Sequence, residues 1–233
     1  MNDFAVARRR MVREQLVDAG LTDRRVLKAM EEVPRHLFVP RLLHHRAHQD
    51  SALPIGYRQT ISKPFTVGLM TTLLELQGHE KVLEVGTGSG YQGAVLSRLA
   101  RTVLSVERIE PLARRARTAL AEIGYDNIEV LAADGTCGLP AQAPFDAIIV
   151  TACAPDLPPH LVGQLAEGGY LLIPVNKGRE QILYRYQRQG AEVNIEQSLS
   201  CRFVPLLEGI EDPEGIGDAA GPDELPTRKA GHA

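Results

Sequence analysis

Glycines at 86, 88, 90 and 93, placed directly after an apolar run, constrain this chain more than any other feature. The stretch from Val82 reads Val-Leu-Glu-Val-Gly-Thr-Gly-Ser-Gly-Tyr-Gln-Gly. Val82, Leu83 and Val85 have the character of a short buried parallel strand. Ala94, Val95, Leu96 and Leu99 then recur at helical spacing, so the glycines fall where a strand turns sharply into a helix. Glycine there permits positive φ and close approach of a ligand to the main chain. The expectation is a nucleotide-type cofactor loop with unpaired amides at the helix start.

Gly88 to Gly93 is a literal G-x-G-x-x-G, which alone does not name the cofactor. The neighbouring carboxylates favour S-adenosylmethionine over NAD. Glu84 stands on the strand two residues before the first glycine, a poor place for a pyrophosphate but a suitable one for an ammonium and a sulfonium. Glu107 ends a second apolar strand about twenty residues past the loop, where a carboxylate accepts ribose hydroxyls in either class. Asp134-Gly135 follows a third strand and puts another carboxylate at the same sheet edge, for the adenine amino group.

With 233 residues, 44% of them hydrophobic, the chain can bury one large core. A net charge of −3 argues against a general nucleic-acid binder, and Arg8-Arg9-Arg10 reads as a solvated helix face. Neither a membrane-length apolar run nor a signal-peptide core is visible, so a cytoplasmic protein is expected. Cys137, Cys153 and Cys201 form no C-x-x-C, indicating neither a disulfide framework nor a zinc ribbon.

Residues 4 to 33 read as two amphipathic helices split at Gly20, the second capped by Thr22 and stopped by Pro34. His44, His45 and His48 lack accompanying acidic or sulfur ligands and read as surface residues. Residues 50 to 63 show no period and read as a cover loop or linker. Pro64 opens another helix, which puts the Ser62 hydroxyl beside free helical amides, in an anion-binding arrangement or a helix-capping one.

From Lys81 to Val175 strands and helices alternate, with strands at 81–85, 102–107, 128–132, 145–151 and 169–175 and helices through Leu112–Ile123 and Leu157–Leu165. That is a doubly wound, mostly parallel, Rossmann-like α/β sheet with ligands at the carboxyl ends of its strands. Segments 181–188 and 193–203 read as an antiparallel hairpin about Gln189-Gly190. The expected organisation is a helical extension and substrate loop over 1–78 and a cofactor-binding domain over 79–207. Residues 208–233, with seven acidic residues, five glycines and no aromatic, complete it as a disordered tail.

Several further motifs resemble the protein-L-isoaspartate O-methyltransferase family, over about Met11 to Leu207. They are Val33-Pro34-Arg35-His36-Leu37-Phe38-Val39-Pro40, Ile55-Gly56-Tyr57, Gln59-Thr60-Ile61-Ser62, Pro144-Phe145-Asp146-Ala147-Ile148 and Arg202-Phe203-Val204-Pro205-Leu206. The family usually has Gly-Asp-Gly after the third strand, where this chain has Ala133-Asp134-Gly135. The resemblance implies methyl transfer from S-adenosylmethionine to the free carboxylate of L-isoaspartyl, and D-aspartyl, residues in damaged proteins, which initiates repair. Ser62 would be the catalytic residue. Glu84, Gly86, Thr87, Gly88, Glu107, Asp134 and Gly135 would hold the cofactor, with no metal. The partners would be isoaspartyl-containing proteins and peptides, without nucleic acid or membrane, and the enzyme a monomer.

A carboxylate acceptor is already ionised at pH 7, so the lack of an obvious general base suits this chemistry. An amino methyltransferase would carry Asn/Asp-Pro-Pro-aromatic after the fourth strand, where Thr151-Ala152-Cys153-Ala154-Pro155 stands. An NAD oxidoreductase would need a proton donor such as Tyr-x-x-x-Lys. A non-catalytic cofactor-binding module is the remaining alternative.

Overall fold

The computed structural model describes residues 3–190 and 192–211. Its centre is a seven-stranded sheet. Five strands are parallel: β3 (Lys81–Val85), β4 (Thr102–Glu107), β5 (Ile128–Ala132), β6 (Phe145–Val150) and β7 (Leu165–Lys177). β8 (Glu180–Gln189) and β9 (Glu192–Cys201) join antiparallel at one edge, giving the order β5-β4-β3-β6-β7-β8-β9. The chain leaves β3 toward β4 and β5, then returns to β6 on the other flank. The sheet therefore reverses its order between β3 and β6, where open α/β sheets bind ligands.

Alternation along the central strands sorts their residues into two cores. Leu83, Val85, Leu104 and Val106 pack with Phe145, Ile148 and Leu171 on one side. Val82 and Val103 pack on the other, against Met70 of α3 (Pro64–Leu73), Leu74 just past its end and Leu96 of α4 (Tyr91–Ser97). α5 (Glu110–Ile123) buries Leu112, Ala116 and Leu120 and ends at Gly124, whose φ of 84° allows the chain to leave the helix. α6 is only Pro159–Gly163, shorter than the sequence pattern suggests, because β7 already begins at Leu165 to pair with Phe145.

The N-terminal extension is continuous with this core. α1 (Asp3–Met11) runs on through a π-helical stretch, Val12–Val17, and α2 covers Arg24–Glu32. Met11, Leu16, Val26 and Met30 share one apolar cluster with Tyr91, Val95, Leu112 and Leu120. Leu16 is fully buried, and its truncation to alanine should cost roughly 2–5 kcal/mol. The cap of α2 is Asp23 rather than Thr22. Its carboxylate accepts from the Arg25 and Val26 amides at 2.9 and 3.2 Å.

The aperiodic segment before α3 is also ordered otherwise than its pattern suggests. Leu53–Gly56 (β1) and Gln59–Ile61 (β2) form an antiparallel hairpin. Its turn residues Tyr57 and Arg58 both have positive φ, 50° and 56°, the conformation of a tight hairpin turn that Asn-Gly usually fills. The Arg115 guanidinium of α5 lies 5.3 Å from the centre of the Tyr57 ring and steadies it. His48 is not a surface residue: it is 8% exposed, its ring near those of Phe4 and His36, and burial lowers its pKa to about 4. The three cysteines are free. Among the described residues no cluster of His, Cys, Asp or Glu could hold a metal, and no helix is long and apolar enough to cross a membrane.

Residues 208–211, expected to belong to a disordered tail, are docked. The Glu211 amide donates to the Arg108 carbonyl at 2.9 Å, and the Gly209 amide to Asp134 Oδ2 at 2.6 Å. Two polar anchors hold this stretch where its composition offers little apolar burial. The rest of the expected tail, 212–233, lies outside the described residues.

Candidate active site

A cleft, partly open to solvent, lies over the carboxyl ends of β3, β4 and β6. Its walls include Gly86, Gly88, Glu107, Arg108, Gly135 and Thr151. Gln59 and Thr60 of the hairpin close one side and Val204 to Leu207 another.

Two glycines shape its floor. A side chain on Gly86 (φ 98°) would place Cβ 2.4 Å from the Thr151 hydroxyl, which itself donates to the Gly86 carbonyl at 2.6 Å. At Gly135 a Cβ would stand 2.5 Å from Val85 Cγ1. Any larger residue at either place would push backbone or wall into the space above.

Several of the loop's amides are already paired. Those of Gly86 and Thr87 donate to the Val106 carbonyl at 2.8 and 3.2 Å, and that of Gly90 to the Thr87 carbonyl. Tyr91 N reaches Ser89 Oγ. These donors of the expected array are spent on folding the loop, those of Gly86 and Thr87 against β4, and the loop also offers a ligand a close, bare backbone surface.

Glu107 is the carboxylate in the cleft. It is 5% exposed, its Oε2 accepting from Gly88 N at 2.7 Å and its Oε1 from Ile109 N at 3.0 Å. Burial raises its pKa, while these amides and the Arg108 charge work the other way. A carboxylate has about four acceptor positions, so acceptor capacity is left for a diol.

Glu84 is elsewhere. Strand alternation turns its side chain beneath the loop, fully buried against Gly93, where Oε2 accepts from Ser105 Oγ at 2.5 Å. Ser105 in turn meets Thr87 Oγ1 at 2.5 Å. Glu84 and the Thr87 hydroxyl are therefore props under the loop and are not walls of the cleft. Asp134 stands at its border. Oδ1 takes the Thr136 amide and hydroxyl at 2.9 and 2.7 Å, and Oδ2 takes Gly209 N. Burial raises its pKa, but these bonds and Arg108 outweigh it and leave the pKa lowered.

Ser62 leaves the hairpin just past Gln59 and Thr60. It does not cap α3: the N-cap is Lys63, without a side-chain bond, and the free Phe65 amide is taken by Asp50 Oδ1 at 3.1 Å. The protein's own carboxylate occupies the helix start that the sequence pattern offers to an anion. The Ser62 carbonyl is held instead by Arg35, whose Nη2 donates at 2.7 Å while Nε donates to the Ala47 carbonyl at 2.7 Å.

Arg35, Thr151 and Arg108 stand outside the site residues that the sequence pattern predicts. Thr151 was legible as the polar residue directly after a buried strand; nothing local marked Arg108. The family motif Arg202 to Leu206 lies beside the exit of β6, Cys153 donating to the Val204 carbonyl and Leu206 to the Cys153 carbonyl at 2.7 and 2.8 Å.

These elements coincide with those of known proteins. The sequence profile of protein-L-isoaspartate(D-aspartate) O-methyltransferase matches residues 7–211. A protein-L-isoaspartate O-methyltransferase of Syntrophobacter fumaroxidans is 60% identical over 207 residues, covering 89% of this chain and 97% of its own. Another, of Geotalea uraniireducens, is 54% identical over 208 residues, covering 89% and 96%. A Plasmodium falciparum beta-aspartate methyltransferase, solved in complex with S-adenosyl-L-homocysteine, shares the fold, with a TM-score of 0.75 at 24% identity, covering 86% of this chain and 98% of that one. On a match over residues 7–211 and relatives covering 89% of it, the chain belongs to the protein-L-isoaspartate(D-aspartate) O-methyltransferase family.

Proposed function

We propose that this protein methylates the free carboxylate of L-isoaspartyl residues in damaged proteins and peptides, with S-adenosylmethionine held in the cleft above Gly86. The observation that carries the reading is Glu107, a buried carboxylate fixed by two backbone amides between two obligatory glycines at the switch point of the sheet. Such a group suits a ribose diol, and the bare Gly86 and Gly135 surfaces admit a flat nucleoside. Asp134 borders the same space for the adenine amino group. Glu84 and Thr87 support the loop from below.

When bound, the cofactor supplies an electrophilic methyl group on a sulfonium. The chain's own task is then orientation and dryness. The ionisable residues lining the cleft are Glu107 and Arg108, which fits an acceptor that arrives ionised and needs no base. Attack of an anion on a cation quenches both charges, so a site that sheds water and aligns the two centres speeds the step. The hairpin and residues 204–207 supply the cover. Ser62, fixed through its backbone by Arg35, orients the acceptor carboxylate. Net charge −3 supports a protein or peptide acceptor over nucleic acid. That the enzyme works as a cytoplasmic monomer, clear of membranes, is part of the same proposal.

The test is a pair of peptides differing only in an aspartyl or isoaspartyl linkage, assayed with labelled cofactor for base-labile ester. Both carry an ionised carboxylate, so only shape separates them. Labelling confined to the isoaspartyl peptide is expected; equal labelling of both would remove the reading.

A further inference from the structure

We propose that residues 204–211 form a strap across the mouth of the cofactor cleft, latched by the Arg108–Glu211 ion pair and the Gly209–Asp134 hydrogen bond, and that this latch sets the rate at which S-adenosylhomocysteine leaves. The inference rests on reading the cleft as the cofactor site.

The path of the chain carries it. Pro205 bridges to Cys153 at the exit of β6, and Glu211 bridges to Ile109 beyond the end of β4. β3 lies between β6 and β4 in the sheet, so the intervening residues cross above the Gly86 loop. Val204 to Leu207 are themselves cleft wall. The cofactor therefore sits under this segment once bound.

The strap is fastened at its far end by polar contacts alone. Arg108 Nη1 pairs with the Glu211 carboxylate, and Arg108 Nε donates to the Gly209 carbonyl at 3.3 Å. Gly209 N donates to Asp134 and Glu211 N to the Arg108 carbonyl. Leu207 and Ile210 do not anchor it, being 47% and 60% exposed. A segment held by a few exchangeable polar bonds, with little buried apolar surface, opens at low cost without unfolding the sheet. Asp134 and Arg108 belong to both structures: each touches the strap and borders or lines the cleft. Opening the strap thus loosens the cofactor's surroundings directly.

Dissociation of S-adenosylhomocysteine from the full chain should be followed by stopped flow in the wild type, Glu211→Ala, Glu211→Asp and Gly209→Pro. Glu211→Ala cuts the ion pair; Gly209→Pro removes the amide to Asp134 and cannot adopt the native φ of 76°. Both should dissociate about fivefold faster or more, the scale of a partly buried ion pair, with Glu211→Asp close to wild type. The dissociation constant should change less than the off-rate, since the cofactor also enters faster. Raising ionic strength should speed release from the wild type and not from Glu211→Ala, a difference that loss of fold would not produce. Wild-type off-rates in both Glu211→Ala and Gly209→Pro would overturn the strap. Glu107→Ala separates the two readings. If it leaves affinity unchanged, the cofactor assignment of the cleft fails; if it weakens affinity while the strap variants release at wild-type rate, the latch alone fails.

Discussion

Arg35 Nη2 donates to the Ser62 carbonyl at 2.7 Å, joining the end of the helical extension to the end of the hairpin. The guanidinium is fully buried, 4.7 Å from the centre of the Tyr91 ring at the start of α4, and desolvation lowers its pKa to about 10. One side chain therefore ties together the extension, the hairpin and the glycine-loop helix.

Arg35→Lys keeps the charge but cannot make both backbone bonds at once. Stability should fall by roughly 2–4 kcal/mol, the range for breaking a buried polar network. In the fraction that folds, KM for an isoaspartyl peptide should rise about tenfold or more, as a displaced Ser62 would cause, while the dissociation constant of S-adenosylmethionine stays near wild type. Calorimetry with cofactor alongside peptide kinetics checks this; equal losses for both ligands would show that Arg35 acts on the whole fold.

Glu84 gives a prediction about pH. Burial pushes its pKa up to about 8, against the Ser105 hydrogen bond and with help from the Glu107 charge. In the unfolded chain the same group titrates near 4.3. The folded state thus holds the proton more tightly, and stability from this group is complete below about pH 4 and declines as pH rises toward 8. Glu84→Gln keeps an acceptor for Ser105 and cannot ionise. Its denaturant midpoint should vary less between pH 5 and 8 than that of the wild type, and should equal or exceed the wild-type value at pH 8. Parallel curves would show that Glu84 is charged at neutral pH.

The same residue shows how far the sequence carries. The strand, the glycines and Glu107 were legible because strand-to-helix turns impose both a periodicity and a residue type. Whether Glu84 faced the cleft or the helix depended on which side of β3 each residue takes, and a one-residue alternation has no sign until the sheet is built. The hairpin at Tyr57-Arg58 was hidden for a related reason. The Tyr57 ring of its turn rests against Arg115 from α5, a contact with no trace in local sequence. Arg35 stood in plain view within a family motif, yet arginine is rarely buried without a carboxylate, and its carbonyl partners are invisible in a side-chain pattern.

The two strand-end carboxylates should respond differently to substitution. Glu107→Ala removes a charged acceptor and should weaken S-adenosylmethionine binding by roughly 1.5–3 kcal/mol. Asp134→Asn keeps an acceptor for Thr136 but sets an amide N–H against the Gly209 N–H, so it should loosen the strap as well as the adenine contact. Its affinity loss should appear chiefly in the off-rate. Titration and stopped flow on both variants check the contrast; an Asn variant that binds and releases like wild type would remove Asp134 from the site.

Two truncations test the end of the chain. Stopping after Glu211 removes residues 212–233, none of which the family profile covers. The thermal midpoint and cofactor affinity should stay at wild-type values. Stopping after Leu207 removes four more residues, and with them the ion pair to Arg108 and the hydrogen bond from Gly209 N to Asp134. Val204 to Leu207 remain beside Cys153 through their own backbone bonds, so the cleft keeps its wall and loses its fastening. The shorter chain should release S-adenosylhomocysteine several-fold faster than the longer one, in line with the loss of a partly buried ion pair and its neighbouring hydrogen bonds. Its thermal midpoint without ligand should move little, because Ile210, the one large apolar residue removed, is mostly exposed. Equal release rates for the two truncated chains would show that residues 208–211 rest on the cleft without closing it.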